Sequence, residues 1–149
     1  MRDVELDRIR AVAERYRSAL ESTPFGDRDG SLTDFPERCC HHASFLLLCH
    51  FGQLGIEGFA IYQGTSPEDE SQKHQWLQKG DLVVDITADQ FLRHGLPSVV
   101  VTHDSAWHRA RRGRRLPYDE TSVLETGTWY DDRGIVERII AHLPPENTT

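Results

Sequence analysis

One acid in an otherwise apolar strand constrains this chain more than any other feature. The stretch from Lys73 to Phe91 reads KHQWLQKGDLVVDITADQF, with Asp85 set inside Leu-Val-Val-Asp-Ile-Thr. A carboxylate buried there is costly unless something pairs with it. His74 is the candidate partner. Lys79-Gly80 has the chemistry of a two-residue hairpin turn. With that loop, Gln78 faces Asp81, Trp76 faces Val83 and His74 faces Asp85, with Cβ atoms about 4.5–5.5 Å apart. If the loop is Gly80-Asp81 instead, His74 faces Thr87, and Asp85 lies diagonally on the same face at about 7–8 Å. Only an odd loop length puts the two on opposite faces. The expectation is therefore a His74–Asp85 pair in which Nδ1–H of the imidazole meets the carboxylate and the other nitrogen is left to act as a base.

A base needs a proton to take, and Cys40 can supply it. The run Cys39 to Gly52, CCHHASFLLLCHFG, follows Pro36, whose fixed φ suits a helix start, and stops at a glycine. It is apolar nearly all round, as a central, buried helix is. Its polar residues gather in the first turn: Cys39, Cys40, His41, His42 and Ser44. A thiol there feels the positive end of the helix dipole and unpaired backbone N–H groups, and a nearby imidazole depresses its pKa further. The same N–H groups can hold an oxyanion. Cys40 as nucleophile, His74 as general base and acid, and Asp85 as orienter form a coherent set.

The rest of the chain frames these residues. Residues 3–20 carry a helical apolar stripe of Val4, Ile9, Val12, Tyr16 and Leu20. Residues 22–37 are turn-rich and read as a long loop. Strand signals follow at 58–64, 74–78, 82–87 and 98–103, with an acidic connection at 66–72. A last helix is expected over 134–143, with 143–149 as a frayed tail. Helices followed by a run of strands is the α+β order, and 149 residues is the length of a single domain.

Composition removes several classes of function. A net charge of -7 argues against nucleic acid or an anionic membrane as partner. No apolar run approaches the roughly 20 residues that span a bilayer. The charged N-terminal stretch lacks the apolar core of a signal peptide, so a cytoplasmic location is expected. Three cysteines are an odd count that disfavours a disulfide framework. Cys49, deep in the apolar run, reads as structural. Four consecutive residues Cys-Cys-His-His point in four directions on a helix, so no metal is expected and the chemistry requires no cofactor. The basic block HRARRGRRLP reads as an exposed loop around Gly113, with an anion contact as the alternative. His103 and His108, flanking Asp-Ser-Ala-Trp, read as surface or loop histidines that could border the site. Gln90 reads as a turn or supporting amide.

The segments FPERCCHHASFLLL and HQWLQKGDLVVDITADQF resemble bacterial proteins of the transglutaminase-like, papain-like thiol superfamily. The resemblance covers roughly Phe35 to Phe91. It implies a cysteine-bearing central helix packed on an antiparallel sheet, flanked by N- and C-terminal helices, with the site in chain order Cys40, His74, Asp85. The spacing to Ala43-Ser44 favours Cys40 over Cys39 as the nucleophile. It further implies a thiol-dependent hydrolase or acyltransferase that acts on a peptide or small-molecule amide through a thioester. Trp76, Cys39 and His41 are then placed as substrate contacts, with core packing the other reading of Trp76. The family usually carries a small residue after the nucleophile. Here His41 and His42 follow, which either crowd the site or add imidazoles to it. The alternative is an inactive relative that serves as a binding module.

Overall fold

The computed structural model describes residues 4–26, 32–33, 35, 39–91, 94–119 and 134–145. Among them are four α-helices and a five-stranded, wholly antiparallel sheet, an α+β arrangement. Helix α1 spans Val4–Ser22 and α2 spans Cys40–Gln53. The strands are β1 (Ala60–Thr65), β2 (Lys73–Lys79), β3 (Leu82–Asp85), β4 (Val100–Thr102) and β5 (Arg114–Asp119). A short helix α3 (Ala106–Arg109) lies between β4 and β5, and α4 covers Ile135–Ala141. The strand order is β4-β3-β2-β1-β5. Pro36 and residues 146–149, assigned above to a helix start and a frayed tail, lie outside the described residues.

Helix α2 is the centre of the core, because its sequence offers no solvent face. Every residue from His42 to Phe51 is buried. Strand alternation supplies the matching surface. Ile61, Leu77, Val84 and Val101 stand opposite one another across four strands, and all belong to the same apolar cluster as α2. Helix α1 adds Ile9, Val12, Tyr16 and Leu20. Val4, expected in that stripe, is 75% exposed, and Arg17 is buried in the helix instead.

His74 and Trp76 alternate with Leu77, and Asp85 with Val84, so these three project from the other face of the sheet. There the segment around α3 covers them. The His108 ring lies 4.8 Å from that of Trp76. Two glycines admit the indole: a Cβ at Gly64 would fall 2.6 Å from Trp76 Cη2, and one at Gly113 would fall 2.7 Å from Cζ2.

Two expectations need correction here. The hairpin turn is Gly80-Asp81 rather than Lys79-Gly80, because Lys79 pairs with Leu82, Gln78 with Val83 and Leu77 with Val84. Gly80 alone has positive φ (61°) at the first loop position, as a type II′ turn requires. The arginine block is not a loop throughout. Arg111 is buried, with its guanidinium 3.3 Å from the centroid of Trp107, while Arg114 and Arg115 begin β5. Pro117 sits in β5 without breaking the sheet because β5 is an edge strand.

Candidate active site

The hairpin delivers His74 and Asp85 to one buried point. The ladder between β2 and β3 runs from Lys79–Leu82 to Leu77–Val84, and Asp85 ends β3 one residue beyond it. Nε2–H of His74 donates to Asp85 Oδ2 at 2.7 Å, with both side chains 1% exposed. The nitrogen is thus the reverse of the one expected: Nε2 meets the carboxylate and Nδ1 faces the Gln90 amide. The other carboxylate oxygen is held locally. Asp85 Oδ1 accepts the Thr87 backbone N–H at 2.9 Å, the turn that ends β3.

Cys40 opens α2, with Cys39 as N-cap. It is half-buried, whereas Cys39 and Cys49 are buried. Its thiol lies near enough to the His74 side chain to act on the charge of the imidazole. The α2 N-terminus has no side-chain cap, so its first-turn N–H groups are not taken up by the N-cap residue. Burial disfavours a charged His74, but the Asp85 carboxylate and then Cys40 outweigh it and raise the imidazole pKa to about 9. Burial likewise opposes ionisation of Asp85, and the two histidines that face it hold it well below the usual carboxylate range.

The second of those histidines is His108, expected from the sequence as a surface or loop histidine that could border the site. It is 2% exposed, and its Nε2–H donates to the same Asp85 Oδ2 at 2.7 Å. Ser105 caps α3 by accepting the His108 backbone N–H at 3.2 Å, and its hydroxyl also meets His108 Nδ1. The Ser-x-x-His spacing of an N-cap was the available signal. His103 is exposed and bonded to Asp81.

Gln90 also reaches the centre. Its side-chain amide lies 3.1 Å from His74 Nδ1, offering N–H to the neutral ring or, turned over, oxygen to the imidazolium. It is placed by the short turn Ala88–Gln90, which Arg17 anchors from α1. Arg17 donates to Ile86 O at 2.7 Å and makes two 2.8 Å bonds to the carboxylate of Asp89.

The remaining expected contacts fall around this centre. Cys39, the residue before Cys40, is buried as the N-cap of α2. His41 is half-buried and tied through Nδ1 to Gln75, whose amide in turn donates to Gln63 at 2.8 Å. Trp76 is 1% exposed, donates from Nε1 to Gln78 Oε1 at 2.8 Å, and borders with His108 a hollow of about 280 Å³. A larger cleft of about 590 Å³ is lined by Gln72, Gln90, Phe91 and His94. Phe91 packs edge-on against His74 at 5.0 Å between ring centroids, so this cleft adjoins the cluster.

Comparisons with protein-family models, with curated proteins and with solved structures gave no match. Among the described residues, no helix is long and apolar enough to cross a membrane.

Proposed function

We propose that the protein is a thiol-dependent hydrolase or acyltransferase of transglutaminase-like type. It acts on an amide through Cys40, His74 and Asp85. One observation carries the reading: the buried His74 imidazole is bonded to a carboxylate through one nitrogen, and the thiol that opens a buried helix lies near enough to act on its charge.

The chemistry follows from those roles. His74 Nδ1 takes the proton from Cys40, and the thiolate attacks the amide carbon. The first-turn N–H groups of α2 are the donors at hand for the oxyanion. The C–N bond breaks as Nδ1–H returns its proton to the departing amine, which leaves an acyl thioester on Cys40. Water, or an amine in a transferase, then attacks the thioester. His74 takes the proton from that nucleophile and passes it back to the thiolate. Asp85 keeps the ring oriented through both halves. The cleft beside Gln90 and Phe91 is the natural seat for the acyl group.

A p-nitrophenyl acyl ester tests this without knowledge of the substrate. The wild type should release nitrophenol and gain an acyl mass on the peptide containing Cys40. Cys40→Ala, His74→Ala and Asp85→Ala should each lose both. Undiminished turnover in Cys40→Ala would overturn the proposal.

A metal centre is the second reading, because the ligand atoms of His74, Asp85 and His108 lie within 4.8 Å of one another and all three residues are buried. The triad is preferred because it uses both 2.7 Å contacts to Oδ2 as they stand, at the spacing of charge-assisted hydrogen bonds. Stoichiometric metal in protein purified without a tag would reverse that preference.

A further inference from the structure

We infer that His108 is a positioning residue for the proposed reaction: as second donor to Asp85 it fixes the carboxylate and takes up part of its charge, leaving His74 free to release its proton. The inference rests on the Cys40–His74–Asp85 reading.

The accounting of hydrogen bonds around Asp85 supports it. A carboxylate offers about four lone-pair sites. Thr87 fills one side, with its N–H at 2.9 Å and its hydroxyl at 3.5 Å from Oδ1. Oδ2 takes the Nε2–H of both imidazoles. Asp85 therefore cannot swivel without leaving a buried donor unpaired. His108 is itself fixed: with the Ser105 hydroxyl donating to Nδ1, the ring must carry its proton on Nε2, toward Asp85. A chain of buried groups thus runs Ser105, His108, Asp85, His74, and ends at Cys40.

Packing alone does not call for this arrangement, since an aromatic ring without nitrogen would fill the same space between Trp76 and Trp107. The nitrogen matters because of charge. A general acid works best with a pKa near the operating pH, and a buried carboxylate holds the His74 imidazolium and raises its pKa. A second N–H on the same oxygen weakens that hold. The titratable and charged groups that face Asp85 are His74 from β2, His108 from α3 and, at longer range, Arg111 just after it. His74 in turn faces Cys40 from α2.

The test compares two variants of the full chain. His108→Phe keeps the ring and loses the donor. His108→Gln loses the ring but keeps an N–H at the position of Nε2. The probe is iodoacetamide, and the readout is the pH profile of Cys40 alkylation. That profile should step once where the thiol ionises and again where the His74 imidazolium titrates. The upper step should move up by about one pH unit in His108→Phe and stay near the wild-type value in His108→Gln. An unmoved upper step in His108→Phe, or equal shifts in the two variants, would overturn the inference while leaving the triad intact. A wild-type profile with a single, ordinary thiol step would overturn the triad, and the inference with it. If His108→Phe does not fold, nitrogen-15 NMR of the wild-type histidines decides. His108 should carry a hydrogen-bonded proton on Nε2, and an unprotonated Nε2 would overturn the inference.

Discussion

His74 and His108, 34 residues apart in sequence, donate to the same oxygen of Asp85, each at 2.7 Å. One ionised carboxylate therefore anchors two imidazoles, and its removal should cost more than either ring. Asp85→Ala leaves two buried N–H donors without an acceptor. Breaking a buried pair of this kind costs about 3–5 kcal/mol. Urea unfolding should show that loss, against a smaller one for His108→Gln. Equal stabilities for Asp85→Ala and wild type would contradict the shared anchor.

The same cluster shapes the pH dependence of stability. His74 has a folded pKa raised from 6.5 to about 9, against the pull of burial, by Asp85 and Cys40. Its contribution is complete below about 6.5 and is lost as pH rises through about 9, on the order of 3 kcal/mol in all. Asp85 is shifted the other way, so its contribution holds above about 3.9 and is lost only in strong acid. His50, buried in α2 beside Tyr16, is lowered mainly by burial, so its contribution is lost as pH falls below about 6.5. Denaturant midpoints should peak near neutrality. His74→Gln should flatten the alkaline side alone, and an unchanged alkaline slope in that variant would exclude His74 as its source.

Arg17 links the first helix to the site from a distance. Its paired bonds to Asp89 hold the turn that carries Gln90. Arg17→Met should destabilise the fold by about 2–3 kcal/mol, the worth of charged hydrogen bonds, and slow Cys40 acylation as Gln90 loses its place. Acylation at the wild-type rate in the folded variant would separate the anchor from the chemistry.

Gly64 should resist any side chain. A Cβ there would meet Trp76 Cη2 at 2.6 Å and the backbone oxygen of Arg111 at 2.9 Å. The second contact is main chain and cannot swing aside. Gly64→Ala should cost about 1–3 kcal/mol by overpacking. Trp76→Phe in the same chain should recover only the part due to the indole. Thermal melts of Gly64→Ala, Trp76→Phe and the double variant measure both quantities.

Much of this site was legible in residues 73–91, because strand parity is robust. Any even loop brings His74 and Asp85 to one face, and the observed Gly80-Asp81 turn, one residue beyond the favoured one, still does so. The buried α2 was equally legible from its unbroken apolar run. What escaped were pairings over longer distances. His108 reads as a loop histidine because nothing local shows that α3 folds back over Asp85. β5 reads as a loop because Arg-Arg-Leu-Pro lacks the pattern of an inner strand, and only its edge position makes it tolerable. Which imidazole nitrogen met the acid was a matter of side-chain direction, which spacing does not carry.

The most direct measurement is the alkylation rate of each cysteine against pH, mapped by peptide mass, in wild type and in His74→Ala. Cys40 alone should react fast well below the ordinary thiol pKa of about 8.5, with Cys39 and Cys49 slow because they are buried. His74→Ala should abolish that advantage. A Cys40 that titrates as an ordinary thiol, or one indifferent to His74, would contradict the thiolate–imidazole pair and favour a binding module built on the same fold.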